Sequence, residues 1–131
     1  DTVKEIGRSF NKMENLTNIY LPNSFVIFDL YAFSGTEKLE FNVKDYGFYL
    51  GSLDNPYLFL YRFSLDSLDD FTIADSCKYV GDYAFSNCTI KELTIPKSVI
   101  YFGDNAFYGA SIEKVFYEGT ALEWCNIDFF A

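Results

Sequence analysis

Between Tyr79 and Tyr117 one sequence unit is written twice. Slid along itself by 22 residues, the chain sets Tyr79, Gly81, Asp82, Ala84, Phe85 and Ile90 on Tyr101, Gly103, Asp104, Ala106, Phe107 and Ile112. Positions between them keep their character, Val80 against Phe102 and Leu93 against Val115. A fixed period in the low twenties constrains the fold strongly, because each unit buries its apolar edge only against its neighbours. The expected architecture is a mostly β repeat solenoid with short parallel strands and little helix.

The unit reads Leu-x-x-apolar-x-Ile-Pro-x-Ser-Val-x-x-apolar-Gly-x-x-Ala-Phe-x-x-Cys. The last two apolar positions of its opening sit two apart and so share one face of a strand. Proline ends that strand because it has no N–H for the ladder. The glycine permits a turn with positive φ, and Ala-Phe sends one small and one large side chain inward. Near the N-terminus Leu16, Ile19, Leu21, Pro22, Ser24, Phe25, Phe28, Ala32 and Phe33 fit the same unit, with Asp29 in the glycine's place. Val3, Ile6, Gly7 and Phe10 match the tail of an earlier one, so the chain starts in mid-repeat and a longer protein is expected. Stacking predicts one ladder of Phe10, Phe33, Phe85 and Phe107, and another of Val3, Phe25, Cys77 and Val99.

A strand is expected at Leu39, Phe41 and Val43, after which the period breaks. Residues 45–66 fit no unit and read as a β-hairpin insertion, with Gly47 to Gly51 and Tyr57 to Phe63 as strands around the turn formers Ser52 to Pro56. Leu68, Phe71 and Ile73 resume the repeat. After Ile112 to Tyr117, Glu118-Gly119-Thr120 turns the chain, and residues 118–131, with Trp124, are expected to cap the last unit. The whole, 1–131, reads as one domain.

Two phrases, YVGDYAFSNCTIKELTIPKSV and YFGDNAFYGASIEKVFYEGT, resemble the BspA-like leucine-rich repeats of bacterial surface proteins, which also occur in some parasitic protists. The segments YLGSLDNPYLFLYRF and VFYEGTALEWCNI are similar to stretches that recur in that family. The chain departs from its pattern at Asp29, at the short strand near Phe41 and at Ala110, where the family usually has cysteine. The resemblance implies a leucine-rich-repeat fold and a secreted or cell-surface protein of the adhesion and host-contact class.

Composition narrows the function. A net charge of −9 disfavours nucleic acid, whose phosphates require a Lys/Arg footprint, and an anionic membrane surface alike. No apolar run approaches the length of a membrane span, so no membrane insertion is expected. There is no histidine, the commonest general base and metal ligand. Cys77, Cys88 and Cys125 are an odd count without a C-x-x-C spacing, which argues against a disulfide framework. Cys77 and Cys88 fall on interior positions and read as buried, inert thiols, whereas Cys125 lies beside Trp124. Asp66, Asp69 and Asp70 could offer oxygen ligands to Ca²⁺, but their spacing matches no known loop, and a solvated loop is the simpler reading. Asn15-Leu16-Thr17 and Asn87-Cys88-Thr89 satisfy the glycosylation pattern, with Leu16 and Cys88 at interior positions. No catalytic, cofactor or metal residue is assigned, and the chain is read as no enzyme.

The outward strand positions carry the candidate site. Tyr20, Asn42, Thr72, Thr94 and Phe116 recur at one place in the unit, beside Asn18, Glu40, Asp70, Glu92 and Lys114. Strands about 4.8 Å apart would align these as two rows on one sheet face. The candidate binding residues are therefore Tyr20, Glu40, Asn42, Asp70, Thr72, Glu92, Thr94, Lys114 and Phe116, with Tyr20 and Phe116 as anchors and the carboxylates attracting a basic partner. The expected role is an extracellular interaction or adhesion module that binds a protein or a glycan. The rival reading is an accessory repeat domain that positions a catalytic domain elsewhere in a longer chain. The uncapped first unit is expected to contact upstream repeats or another chain.

Overall fold

The computed structural model describes residues 5–6, 10–23, 27–28 and 32–129. In chain order the strands are β1 (Glu5–Ile6), β2 (Ile27–Phe28), β3 (Asn42–Lys44), β4 (Gly47–Leu50), β5 (Phe59–Phe63), β6 (Ser67–Thr72), β7 (Tyr79–Val80), β8 (Thr89–Ile95), β9 (Tyr101–Phe102), β10 (Ser111–Tyr117) and β11 (Asp128–Phe129). A single short helix, α1 (Ala121–Cys125), stands before the last strand among the described residues.

The period becomes register. From Ser67 onward each unit contributes one long and one short strand, and like strands of successive units pair in parallel. The long strands form a three-stranded sheet in the order β10-β8-β6. Leu68, Ile90 and Ile112 are aligned across it, as are Phe71, Leu93 and Val115. The short strands β5, β7, β9 and β11 run parallel within a six-stranded sheet that β4 and β3 extend. Tyr79 aligns with Tyr101 and Val80 with Phe102. In the first two units β1 and β2 pair in the same parallel sense, Glu5 with Ile27. Val3, Gly7, Ser24, Phe25 and Asp29, expected at repeat positions, lie outside the described residues.

Residues Gly47–Leu50 and Phe59–Phe63 pair antiparallel, as a hairpin requires, but the departure from the repeat sits elsewhere than 45–66. It opens inside the second unit's long strand. Thr17 accepts from the Glu40 amide at 2.8 Å, so this strand starts normally at Leu39. The chain then leaves as β3, turns through Asp45 and Tyr46, and returns as β4. Both turn residues have positive φ, 47° and 73°, as a two-residue hairpin turn demands. Gly51 then takes the place beside Tyr20 in a parallel bridge, with Leu21 donating to its carbonyl at 2.8 Å.

By Phe59 the chain is already back in the repeat. Phe59 and Leu60 align with Tyr79 and Val80, and Phe63 donates its amide to Ala84 just as Phe85 does to Ala106. The phenylalanine ladder is consequently Phe63, Phe85 and Phe107, with ring centroids 5.9 and 5.2 Å apart. Phe10 and Phe33 stack on each other at 5.9 Å as a separate pair, and Phe33 meets Tyr61 edge-on. The expectation that Phe33 precedes Phe85 is corrected: Phe63 holds that rung.

The two faces of the short-strand sheet bury different residues. Leu60, Val80 and Phe102 join the larger core with Phe71, Phe85, Ile90, Leu93 and Ile95. Phe59, Tyr79 and Tyr101 join Leu21, Phe33, Leu39, Leu50 and Leu58 in the smaller one. Burial of this apolar area, worth about 25 cal/mol per Å², is what holds units to one another.

Gly81 and Gly103 do not carry the left-handed backbone expected of the unit's glycine. That conformation falls instead two residues after Phe10, Phe33, Phe85 and Phe107, at Lys12 (φ 61°), Gly35 (79°), Asn87 (57°) and Gly109 (66°), and also at Tyr83 (55°) and Asn105 (50°). Gly103 is required for space instead, because a Cβ there would stand 2.6 Å from the Asp82 backbone nitrogen. The Asp82 carboxylate accepts from the Asp104 amide at 2.7 Å across that contact.

Beyond β10, Thr120 and Glu123 form a reciprocal cap on α1: the Thr120 hydroxyl accepts from the Glu123 amide at 3.1 Å, and the Glu123 carboxylate accepts from the Thr120 amide at 2.8 Å. The chain then buries Ile127 in the larger core and lays β11 beside β9. The Trp124 ring meets Tyr117 edge-on, and Phe129 stacks on Phe102 at 5.1 Å.

Candidate functional site

The long strands bury the apolar residues of Leu-x-x-apolar-x-Ile, as Ile90, Leu93 and Ile95 are in β8, and leave the three positions between them outside. Parallel register then lines these up on the outer face of the three-stranded sheet. Asp70, Glu92 and Lys114 form one row, and Thr72, Thr94 and Phe116 a second. Phe116 is 51% exposed, a large apolar ring on a polar surface.

Three of the nine residues expected on this face are elsewhere. Tyr20 is exposed, but its cross-strand neighbour is Gly51 rather than Asn42. Asn42 belongs to β3 of the other sheet, where its side-chain amide donates to the Pro56 carbonyl at 2.8 Å. Glu40 follows the second unit's interrupted strand, paired to Thr17 through its backbone. The physical reason is the hairpin: it leaves the long strand after Phe41, so the outward row cannot continue from that unit into β6.

A further row was missed by reading only two outward positions per unit. Asp69, Lys91 and Glu113 each precede a member of the Asp70, Glu92 and Lys114 row and are exposed. Lys91 lies 3.6 Å from Asp69, and Lys114 lies 3.6 Å from Glu92. Lys114 thus pairs with Glu92 within its own row and Lys91 with Asp69 within the neighbouring one, so the face is partly neutralised from within. These six side chains line a shallow depression of ≈ 330 Å³. With four carboxylates against two ammonium groups it stays acidic. Asp70 and Glu113 are without an ion pair among the described residues. Exposed pairs of this kind contribute little to stability, about 0–1 kcal/mol each, which frees them for a partner.

A second concavity of ≈ 300 Å³ opens where the hairpin meets the second unit, lined by Phe33, Leu39, Phe41, Tyr61, Glu37 and Arg62 among others. Phe41 stacks on Tyr61 at 4.9 Å, and the Arg62 guanidinium lies 5.3 Å from the Phe48 ring centroid. Burial pushes the Tyr61 hydroxyl's pKa above its ordinary value. Its sequence signal was the aromatic density of 41–61, which alternation along single strands does not combine into one site.

The thiols occupy their expected places. Cys77 and Cys88 are buried, and their Sγ atoms donate to the carbonyls of Tyr79 (3.4 Å) and Phe85 (3.1 Å). Burial pushes the Cys77 thiol up to about 12 and raises Cys88 as well, which makes both poor nucleophiles. Cys125 is exposed. Among the described residues no group of three or more His, Cys, Asp or Glu side chains is placed to hold a metal ion, Asp66, Asp69 and Asp70 included. No helix among them is long and apolar enough to cross a membrane.

Parallel strands at a 22-residue period, a phenylalanine ladder and one helix of five residues define a leucine-rich-repeat protein. The chain belongs to the BspA type of leucine-rich-repeat region, whose pattern matches six copies over residues 1–49 and 58–130. The match resumes one residue before β5, in agreement with Phe59 as the return to the repeat. Comparison with curated proteins and with solved structures gave no match.

Proposed function

We propose that this chain is a non-catalytic extracellular interaction module, a capped solenoid of stacked repeats that binds a protein or a glycan through the outer face of the β6-β8-β10 sheet. The observation that carries the reading is the register of Thr72, Thr94 and Phe116 beside Asp70, Glu92 and Lys114. A flat polar face with one exposed ring at its end suits a partner that buries the ring and meets the carboxylates with cations. Family membership supports a surface-attached or secreted location and an adhesion role. A non-enzymatic role is supported by the absence of histidine from the sequence, and by the fact that the clearly raised pKa values include Tyr49 and Cys77 in the core, shifted chiefly by burial.

Selection from a displayed peptide library and from a glycan array, run on the wild-type chain, tests this. Bound ligands should be lost when Thr94→Arg blocks the middle of the face, and should dissociate faster from Phe116→Ala. Ligands that bind Thr94→Arg and Phe116→Ala unchanged would contradict the assignment.

A further inference from the structure

Two motifs of the sequence play no part in the sheet face. Asn15-Leu16-Thr17 and Asn87-Cys88-Thr89 each set a hydroxyl two residues after an asparagine, the pattern that accepts an N-linked glycan. Their middle residues are taken up by the fold: Cys88 is buried in the larger core, and Leu16 is half-buried against the smaller one. The flanking residues are turned the other way. Asn15, Thr17, Asn87 and Thr89 are all exposed.

The backbone of both motifs is tied down while the asparagine nitrogens are not. The Asn87 amide donates to the Tyr108 carbonyl and the Thr89 amide to the Asp66 carbonyl, both at 2.8 Å, and the Thr17 carbonyl accepts from Glu40. The side-chain nitrogen of Asn87 makes no hydrogen bond among the described residues. Neither does that of Asn15, whose side-chain oxygen accepts from the Lys38 Nζ at 3.3 Å. By contrast Asn42, Asn55 and Asn105, which lack the following hydroxyl, spend this nitrogen on the Pro56 carbonyl, the Ser76 carbonyl and the Tyr83 hydroxyl. Beside Asn87 the next unit offers Gly109, where a Cβ would strike the asparagine's amide oxygen. The missing side chain leaves room around the acceptor.

We propose that Asn15 and Asn87 carry N-linked glycans. The co-reactant is a sugar carried on a lipid diphosphate. The asparagine Nδ2 bonds to the anomeric carbon, the bond from that carbon to the phosphate oxygen breaks, the lipid diphosphate leaves with the electron pair, and one amide proton is released. Transfer to the extended chain precedes the burial of Leu16 and Cys88, so the fold has only to leave both nitrogens in solvent, as it does. The inference rests on the extracellular reading above, because only a chain that passes through a secretory compartment meets this donor. Thr94 lies five residues beyond Thr89 along β8, roughly 16 Å at about 3.3 Å per residue. The sugar on Asn87 therefore borders the start of the sheet face and leaves Thr94 and Phe116 open to a partner.

Peptide mass spectrometry of the chain taken from its own cells tests this, before and after a peptide amidase that removes the glycan and leaves aspartate. Labelling of intact cells with a membrane-impermeant reagent reports the location in the same sample. Asn15 and Asn87 should carry sugar, while the exposed Asn18 and Asn126, followed two residues on by Tyr20 and Asp128, should not. In a secreting eukaryotic cell line, Thr17→Ala and Thr89→Ala should each remove one glycan, and Thr17→Ser and Thr89→Ser should keep it. A labelled surface chain with both asparagines bare would overturn the glycans and leave the sheet face standing. A chain that is neither labelled nor modified would overturn the extracellular reading and this inference with it. One bare asparagine, or sugar retained by the alanine variant of its motif, would overturn the assignment at that residue.

Discussion

The ring of Phe63 lies 5.9 Å from that of Phe85, in the same relation as Phe85 to Phe107. Phe63 therefore belongs to the repeat and not to an insertion, and it continues the core past the hairpin. Phe85 is 1% exposed and also touches Phe71, at 5.9 Å.

Replacing Phe85 with alanine should cost about 3–5 kcal/mol of stability, since a large ring leaves a site with neighbours on both sides. A double-mutant cycle in denaturant unfolding gives the sharper result. Phe63→Ala and Phe85→Ala should be coupled by about 0.5–1.5 kcal/mol, as for an aromatic pair in contact. Phe33→Ala and Phe85→Ala should be additive, and strong coupling there would restore the ladder expected from the motif.

Much of this was legible in the sequence. A slide of 22 residues aligns β8 with β10 and β7 with β9 residue for residue, because parallel pairing of identical units has only one register that keeps every apolar side chain inside. Slid back once more from Phe85, the same step lands on Phe63. The rung was hidden by two residues missing from its turn: four positions separate Phe59 from Phe63 where six separate Tyr79 from Phe85. The candidate face was half legible. Its Asp70, Glu92 and Lys114 row followed from the period, but Lys91 did not, because strict alternation allows no two adjacent outward residues. The loss of Tyr20, Glu40 and Asn42 from the face could not be read at all, since it depends on where within a strand the hairpin departs.

The left-handed position two residues after Phe10, Phe33, Phe85 and Phe107 gives a second test. Gly35→Ala should lower stability by about 1–2 kcal/mol, the ordinary cost of that backbone conformation for a residue with a Cβ. The Cβ would also come within 3.1 Å of the Lys12 Cα. Gly103→Ala should cost at least as much through the backbone clash at Asp82, although its φ is ordinary. Thermal melts of both variants check this, and a neutral Gly103→Ala would show that the two units lie further apart.

Alkaline pH should loosen the fold. Burial holds the pKa of Cys77 at about 12 against an ordinary 9.0, and that of Tyr101 at about 12 against 10.0. The folded state thus keeps protons that the unfolded chain releases. The stability these groups contribute is complete below pH 9 and is lost as the pH rises towards 12. Denaturant midpoints measured from pH 7 to 11 should fall over the upper half of that range. Over the same range in the folded protein, a thiol reagent should label Cys125 and leave Cys77 and Cys88 unmodified until unfolding.

Amide chemical-shift mapping with a ligand selected on the wild-type chain tests the central claim most directly, because it reports where on the molecule a partner sits. The face predicts shifts centred on Thr72, Thr94, Lys114 and Phe116, extending to Asp70 and Glu92. Shifts confined to Phe41, Tyr61 and Arg62 would place recognition in the aromatic concavity beside the hairpin and contradict the sheet face as the binding surface.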